Sequence, residues 1–384
     1  MKKQSNKSKQ YNRGEWGESY ALSCILRDRS IPLCNHKLDV TNTQIPIISV
    51  QFKTGTKHFT YIFDEKRQGW KLKNNENKRF TRLSIKQASS ISSTLEQALR
   101  TSSYKFDNKF INLIKKIGLY PNSKASQTKT DILLKIHDIK CGYDVELGYS
   151  IKSFIGSNPP TLFNASGKNT VYKFKVTGIR LPKFKQIMDK ALEMHNDKNV
   201  NDWFVQTVKL LIVNKGYFDP IYDSPETLSF NLEYIDLKMQ KILSNLIRIH
   251  NTERVSSVED AVEILKSSNP LRLQNINLYE YKVKKFLVAS AFGMTAAKQW
   301  DGTEQANGGF IIVTPEYRLL MYQPYNRNNL ENYLYKACKF DRPKMNSKSN
   351  TGLHIEGRNK IIDFAFQIRF KSFAAIKKSL QTLP

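Results

Sequence analysis

The chain has 384 residues and carries 61 Lys and Arg against 34 Asp and Glu, a net charge of +27 with a pI near 9.7. The surplus runs along the whole length, interleaved with Tyr, Phe and Trp, so the expected partner is a polyanion, nucleic acid before an anionic membrane surface. The longest apolar stretch, residues 286–294, is too short to cross a bilayer, and the length supplies ample core for one large domain or two ordinary ones.

The opening MKKQSNKSKQYNR reads as a mobile basic arm; no apolar stretch comes after its lysines, so it is not a secretory leader. Cys24, Cys34, Cys141 and Cys338 show no paired spacing, which suggests neither a zinc site nor a disulfide framework and fits a reducing cytoplasm. Residues 14–28 predict a helix with Ala21, Leu22, Ile25 and Leu26 on one face. Glu18 lies one turn before Leu22, on the apolar side, where it serves either a site or the electrostatics of the helix N-terminus. Residues 38–63 read as strand-rich, 64–80 as a charged surface excursion, and 93–99 and 106–117 as helical. Residues 121–130 form a polar, lysine-bearing approach to Asp131.

TDILLKIHDIKCGYDVELGYSIKS, residues 130–153, carries the chemistry. Asp131 opens a short apolar strand. In the next strand Val145, Leu147, Tyr149 and Ile151 alternate with Glu146, Gly148, Ser150 and Lys152, which puts the second set on one face. An antiparallel hairpin turning among Asp138, Lys140, Gly142 and Asp144 sets Asp131 roughly opposite Lys152. A carboxylate beside a lysine can bind a hard cation and position a water, an arrangement suited to a metal-dependent nuclease. The position two residues before the lysine, commonly acidic in such sites, is Ser150. Glu146, on the same face, lies about 13 Å from Ser150 at ~3.3 Å per residue, too far to share the metal. Glu18 is the better second carboxylate, with Glu15 in reserve.

Residues 153–170, rich in Gly, Pro, Asn and Ser, predict a loop, then a strand at 171–176 and helices at 182–195, 202–213 and 234–250. The last hundred residues read as β-rich, with FIIV, YRLLMY and FAFQIRF as strands and 336–348 as a basic loop. A division at about residue 180 separates a core from a helical and β-rich recognition section. Base reading needs Arg or Lys for guanine, Asn or Gln for adenine and acids for cytosine. The loop after the second strand offers Asn164, Ser166, Lys168 and Asn169, and the C-terminal section offers Lys298, Gln299, Asp301 and Arg327.

Taken in order, GEWGE (14–18), KTDILLKIHD (129–138), LGYSIKS (147–153), TLFNASGKNT (161–170), WDG…GGFIIV (300–313) and FQIRF (366–370) are spread over nearly the whole chain. In this combination the chain resembles the HpaII-type restriction endonucleases, a branch of the PD-(D/E)xK nucleases. The resemblance implies an α/β fold, with a mixed β-sheet flanked by helices, and Mg²⁺-dependent cleavage of both strands of DNA at a short site, CCGG for the type member. It also implies a DNA methyltransferase in the host that is not a stable subunit. Asp131 and Lys152 match its acid and lysine; Ser150 departs from the acidic member of its pattern. Cleavage at a symmetric site is most simply made by a homodimer, although a monomer that nicks twice does the same work.

Three rival readings stand beside this one. A methyltransferase is poorly supported, since Thr161 stands where the Asn158-Pro159-Pro160 motif needs an aromatic residue and no glycine-rich cofactor loop succeeds an early strand. A histidine-based nuclease is disfavoured because the six histidines form no metal-type pair. A non-catalytic basic DNA-binding protein accounts for the charge and leaves Asp131 and Lys152 structural.

Overall fold

The computed structural model describes residues 11–76, 80–121, 129–222, 226–343 and 352–382. Residues 1–10 of the basic arm, most of the polar approach to Asp131 and part of the 336–348 stretch lie outside the described residues, whereas Asn12 and Arg13 at the end of the arm belong to the start of the first helix.

Helix α1 (Arg13–Asp28) starts where Asn12 accepts from the Glu15 amide and Glu15 accepts from the Asn12 amide, a reciprocal cap on both free donors. Strands β1 (Ser30–Cys34), β2 (Val40–Thr54), β3 (Lys57–Asp64), β4 (Gly69–Asn74) and β5 (Thr81–Ser84) come next. Gly55, at φ +65, makes the turn between β2 and β3. The expected surface excursion at 64–80 therefore contains a strand. In β4 Trp70 and Leu72 alternate into the core while Lys71 and Lys73 face outward, a period-two pattern hidden by its charges. Helices α2 (Ile85–Thr101) and α3 (Asn108–Lys116) cover the sheet before the hairpin β6 (Ile132–Asp138) and β7 (Tyr143–Ser153).

The predicted loop at 153–170 holds a three-residue strand, β8 (Thr161–Phe163), and leads to β9 (Val171–Thr177). Helices α4 (Leu181–Asn196) and α5 (Trp203–Val213), strand β10 (Tyr217–Ile221), and helices α6 (Glu226–Glu233), α7 (Met239–Thr252), α8 (Val258–Ser268) and α9 (Asn277–Phe292) continue the chain. Residues 234–238, expected as helix, separate α6 from α7. Strands β11 (Gly309–Val313) and β12 (Leu319–Tyr322) precede α10 (Arg327–Ala337), β13 (Cys338–Asp341), β14 (Leu353–Glu356), β15 (Asn359–Ala365), β16 (Gln367–Phe370) and α11 (Phe373–Leu380). Helix α10 and β13 correct the basic-loop expectation from residue 336. Asn326 caps α10, and Leu330, Tyr333, Leu334 and Ala337 bury one face of it.

The largest sheet runs β1-β12-β11-β7-β6-β2-β3-β4-β5, with β1–β12 and β11–β7 parallel. Because β1 also pairs with β2, six of its strands close on themselves, which the expectation of a flanked mixed sheet did not contain. Two smaller sheets, β10-β9-β15-β14 and β13-β16-β8, join β8 and β9 of the first half of the chain to strands of its last fifty residues. Strand β11 is the shared wall between two cores. Ile311 and Val313 enter the core with α1, α2 and β6, whereas Phe310 and Ile312 enter the core built by α7 to α10. A strand buried on both faces reads as an unbroken apolar run, as GFIIV does. Among the described residues no helix is long and apolar enough to cross a membrane.

Candidate active site

The hairpin closes one residue earlier than symmetry between Asp131 and Lys152 requires. Asp138 pairs with Tyr143, Gly142 takes φ +75, and its amide donates to the Asp138 carbonyl at 2.7 Å. Ile132 then pairs with Tyr149, and the Asp131 amide donates to the Tyr149 carbonyl at 3.0 Å. Asp131 thus stands beside Ser150, with Lys152 one same-face step further along β7. Ser150 Oγ donates to Asp131 Oδ2 at 3.0 Å and the Ile151 amide to the same oxygen at 2.7 Å, so Oδ1 is not committed by these bonds. Ser150 is buried and fixes the neighbouring acid.

Helix α1 delivers the second carboxylate. Gly17 lies so close to the end of β7 that a Cβ there would come within 2.4 Å of Ser153 Oγ. Trp16 stacks on Tyr104 with centroids 5.7 Å apart, and Tyr20 donates to the Tyr317 carbonyl at 2.8 Å, which pins the helix on both sides of Gly17. The next residue, Glu18, comes into electrostatic reach of Asp131 and Lys152. It has protein close on several sides yet keeps solvent-exposed surface. Glu15 is taken up by the helix cap.

Two lysines complete the cluster. Lys152 Nζ reaches the Thr161 carbonyl at 3.5 Å, and Lys129 Nζ donates to the Leu162 carbonyl at 2.7 Å. Burial and then the Asp131 charge hold the Glu18 carboxyl above the usual carboxylate range, although Lys152 opposes this and the side chain's exposed surface tempers it. Burial raises Asp131 as well, against Lys152 and the two hydrogen bonds. The Lys152 ammonium is pushed down by burial, with Asp131 and Glu18 pulling it back. Lys129 falls to about 7 through burial and the neighbouring Lys152 charge. A group of acids and amines that perturb one another's protonation is a frequent signature of a chemical site.

The donor set suits Mg²⁺, which takes one or two carboxylates and completes its octahedron with water and substrate oxygens. Among the described residues no group of three or more His, Cys, Asp and Glu side chains forms a protein-only metal cage. Asp131 Oδ1 and the Glu18 carboxylate are the oxygens that could hold such an ion.

A profile described as HpaII restriction endonuclease matches residues 12–370. The Type II restriction enzyme HpaII of Haemophilus parainfluenzae is 31% identical over 363 residues, which covers 94% of this chain and 98% of that protein. The chain belongs to the HpaII restriction endonuclease family. It is accordingly a type II site-specific deoxyribonuclease. No solved structure gives a significant match.

Of the residues expected to read bases, one group lies near this cluster. Asn164, Ser166, Lys168 and Asn169 occupy the segment between β8 and β9, directly after the two carbonyls that the lysines hold. Asn164 and Lys168 are exposed, and the segment folds on itself through Ser166 and Thr170. The other group has no hydrogen bond or ion pair to the cluster among the described residues. Arg327 forms a two-pronged pair with Glu304, at 2.6 and 2.9 Å. The Asp301 carboxylate accepts from the Thr303 amide at 2.9 Å, the Lys298 carbonyl accepts from Asn231, and Gln299 is exposed beside them. Lys129 was missed by the sequence reading. Its sequence signal was only a lysine two residues before the acid, and its partner is 33 residues away.

Proposed function

We propose that this enzyme is a Mg²⁺-dependent PD-(D/E)xK nuclease that hydrolyses phosphodiesters in both strands of DNA at CCGG or a related short site. The observation that carries the reading is the meeting of Asp131, Glu18 and Lys152 at one place, with the exposed Asn164 and Lys168 in the segment that begins three residues beyond Thr161. Asp131 and Glu18 would hold the Mg²⁺, which when bound supplies Lewis-acid polarisation of the scissile phosphate. Ser150 and the Ile151 amide keep Asp131 aimed. Lys152, whose ammonium is destabilised by burial, takes up or orients the proton of the attacking water and offsets charge on the pentacoordinate phosphorus. Asn164, Ser166, Lys168 and Asn169 reach for base edges, while the wider lysine surplus contacts phosphates and sets register. Lys298, Gln299, Asp301 and Arg327 form a second recognition group once DNA draws Arg327 from Glu304. Two copies related by a two-fold axis cut a symmetric site, and a host methyltransferase protects it.

Plasmid linearisation tests this. Cleavage is expected with Mg²⁺, none with chelator, and none by Asp131→Ala. Sequencing the ends of digested genomic DNA gives the site and the stagger. Cutting that persists in chelator, or in the variant, overturns the assignment. Binding weakens steeply with salt as phosphate contacts release counterions, and a flat response would contradict the basic-surface argument.

A further inference from the structure

We propose that Lys129 is a positioning residue that couples cleavage to sequence reading, by tying strand β8 and the segment 164–170 to the acid-bearing hairpin. Strand β8 is an edge strand. Its partner β16 pairs Ile368 with Phe163 and Arg369 with Thr161, and the slip of register between them leaves Leu162 as an extra residue with no partner on β16. There the ladder is missing, and the Leu162 carbonyl accepts from Lys129 Nζ at 2.7 Å. The same ammonium lies 5.8 Å from the centroid of the buried Phe163 ring. Lys152 takes the preceding carbonyl, that of Thr161, at 3.5 Å.

Successive carbonyls of a three-residue strand are thus held by two amines from the hairpin, one before Asp131 and one after Ser150. The longer bond is the weaker, so the short Lys129 bond is the firmer pin. Immediately beyond Phe163 the chain enters Asn164, Ser166, Lys168 and Asn169. Displacement of that segment by a correct or incorrect base pair therefore passes through β8 to the lysines and to Asp131. A site of this kind keeps productive geometry only when its supporting groups hold it to about half an ångström.

This inference rests on the nuclease reading, and its test separates the two. Lys129→Met keeps the length of the side chain and removes the donor. Hydrogen exchange on the full chain should rise at the amides of residues 161–170 and stay unchanged in 143–153. On a duplex carrying the site found from sequenced ends, kcat should fall about 100-fold with KM little changed. Preference over a duplex with one base pair replaced should fall about tenfold. Lys129→Arg, which keeps a charged donor, should restore most of that preference. Unchanged exchange, or equal loss of rate on both duplexes, overturns the proposal. If Lys129→Met does not fold, Lys129→Gln takes its place and the same two readouts decide. Failure of the nuclease reading would show instead as cutting by Asp131→Ala.

Discussion

Asp131 and Asp138 stand at opposite ends of the β6 strand, and their surroundings divide the acid proposed to work from a structural one. Asp138 Oδ1 accepts from the Lys140 and Cys141 amides at 2.9 and 3.1 Å, and the Tyr325 hydroxyl lies 3.1 Å from both of its oxygens. It is buried and both oxygens are engaged, the condition of a carboxylate that stabilises a turn. Asp131 accepts two bonds on one oxygen, has two lysines for neighbours, and lies within electrostatic reach of a second acid, Glu18. The difference is in what remains uncommitted: one end of the hairpin is finished, while the other keeps a carboxylate oxygen beside two amines that each hold a backbone carbonyl of β8.

Removing the acid at each end breaks this contrast most directly. Asp131→Asn should lower plasmid cleavage on the order of a thousandfold or more and leave DNA binding intact. Asp138→Asn should keep the cleavage rate and lose about 1–3 kcal/mol in chemical denaturation. Equal loss of cutting in both would erase the distinction. Lys152→Met should cost roughly a hundred- to a thousandfold in kcat with gel-shift affinity retained, and normal cutting would remove Lys152 from its role. Gly17→Ala pushes α1, and Glu18 with it, off the end of β7, so a loss of about tenfold in cleavage is expected at unchanged DNA affinity.

The smallest effect is the most diagnostic of Glu18. Its carboxyl is raised, so the native state holds a proton that the unfolded chain has already released, and stability falls as pH rises through that interval. Glu18→Gln removes the decline. Its melting temperature should exceed that of the parent by about a degree or two at pH 8, and the gap should close at pH 4. The same variant should need several times more Mg²⁺ for half-maximal cutting, and an unchanged Mg²⁺ requirement would place the second ligand elsewhere.

The hairpin was legible because local alternation and turn chemistry agree there, and with it Asp131, Ser150 and Lys152 came into view. Even so, the position of the tight turn shifted the partner of Asp131 from Lys152 to Ser150, since register depends on which residue takes the positive φ. Glu18 could be picked out because an acid on the apolar side of a helix is conspicuous. Strand β8 was hidden by its length, and Lys129 by the distance in sequence to Leu162. The α10 periodicity was present at Leu330, Tyr333, Leu334 and Ala337, but the section was read as β-rich, with a basic loop from residue 336. Closure of the ring depended on β1 finding both β2 and β12, a pairing that no local pattern announces.

The shared wall has a consequence for how the enzyme is made. Strand β7 finds its second neighbour in residues 309–313, about 160 positions downstream. A nascent chain leaving the ribosome therefore exposes an unsatisfied β7 edge, and Ser150 and Lys152 lack their strand partners Phe310 and Ile312, until residues 309–313 have been made. Chains released before residue 309 should be insoluble and unable to cut DNA, which expression of a series of truncated forms would show. A host that carries this gene is exposed to its cutting only by finished copies.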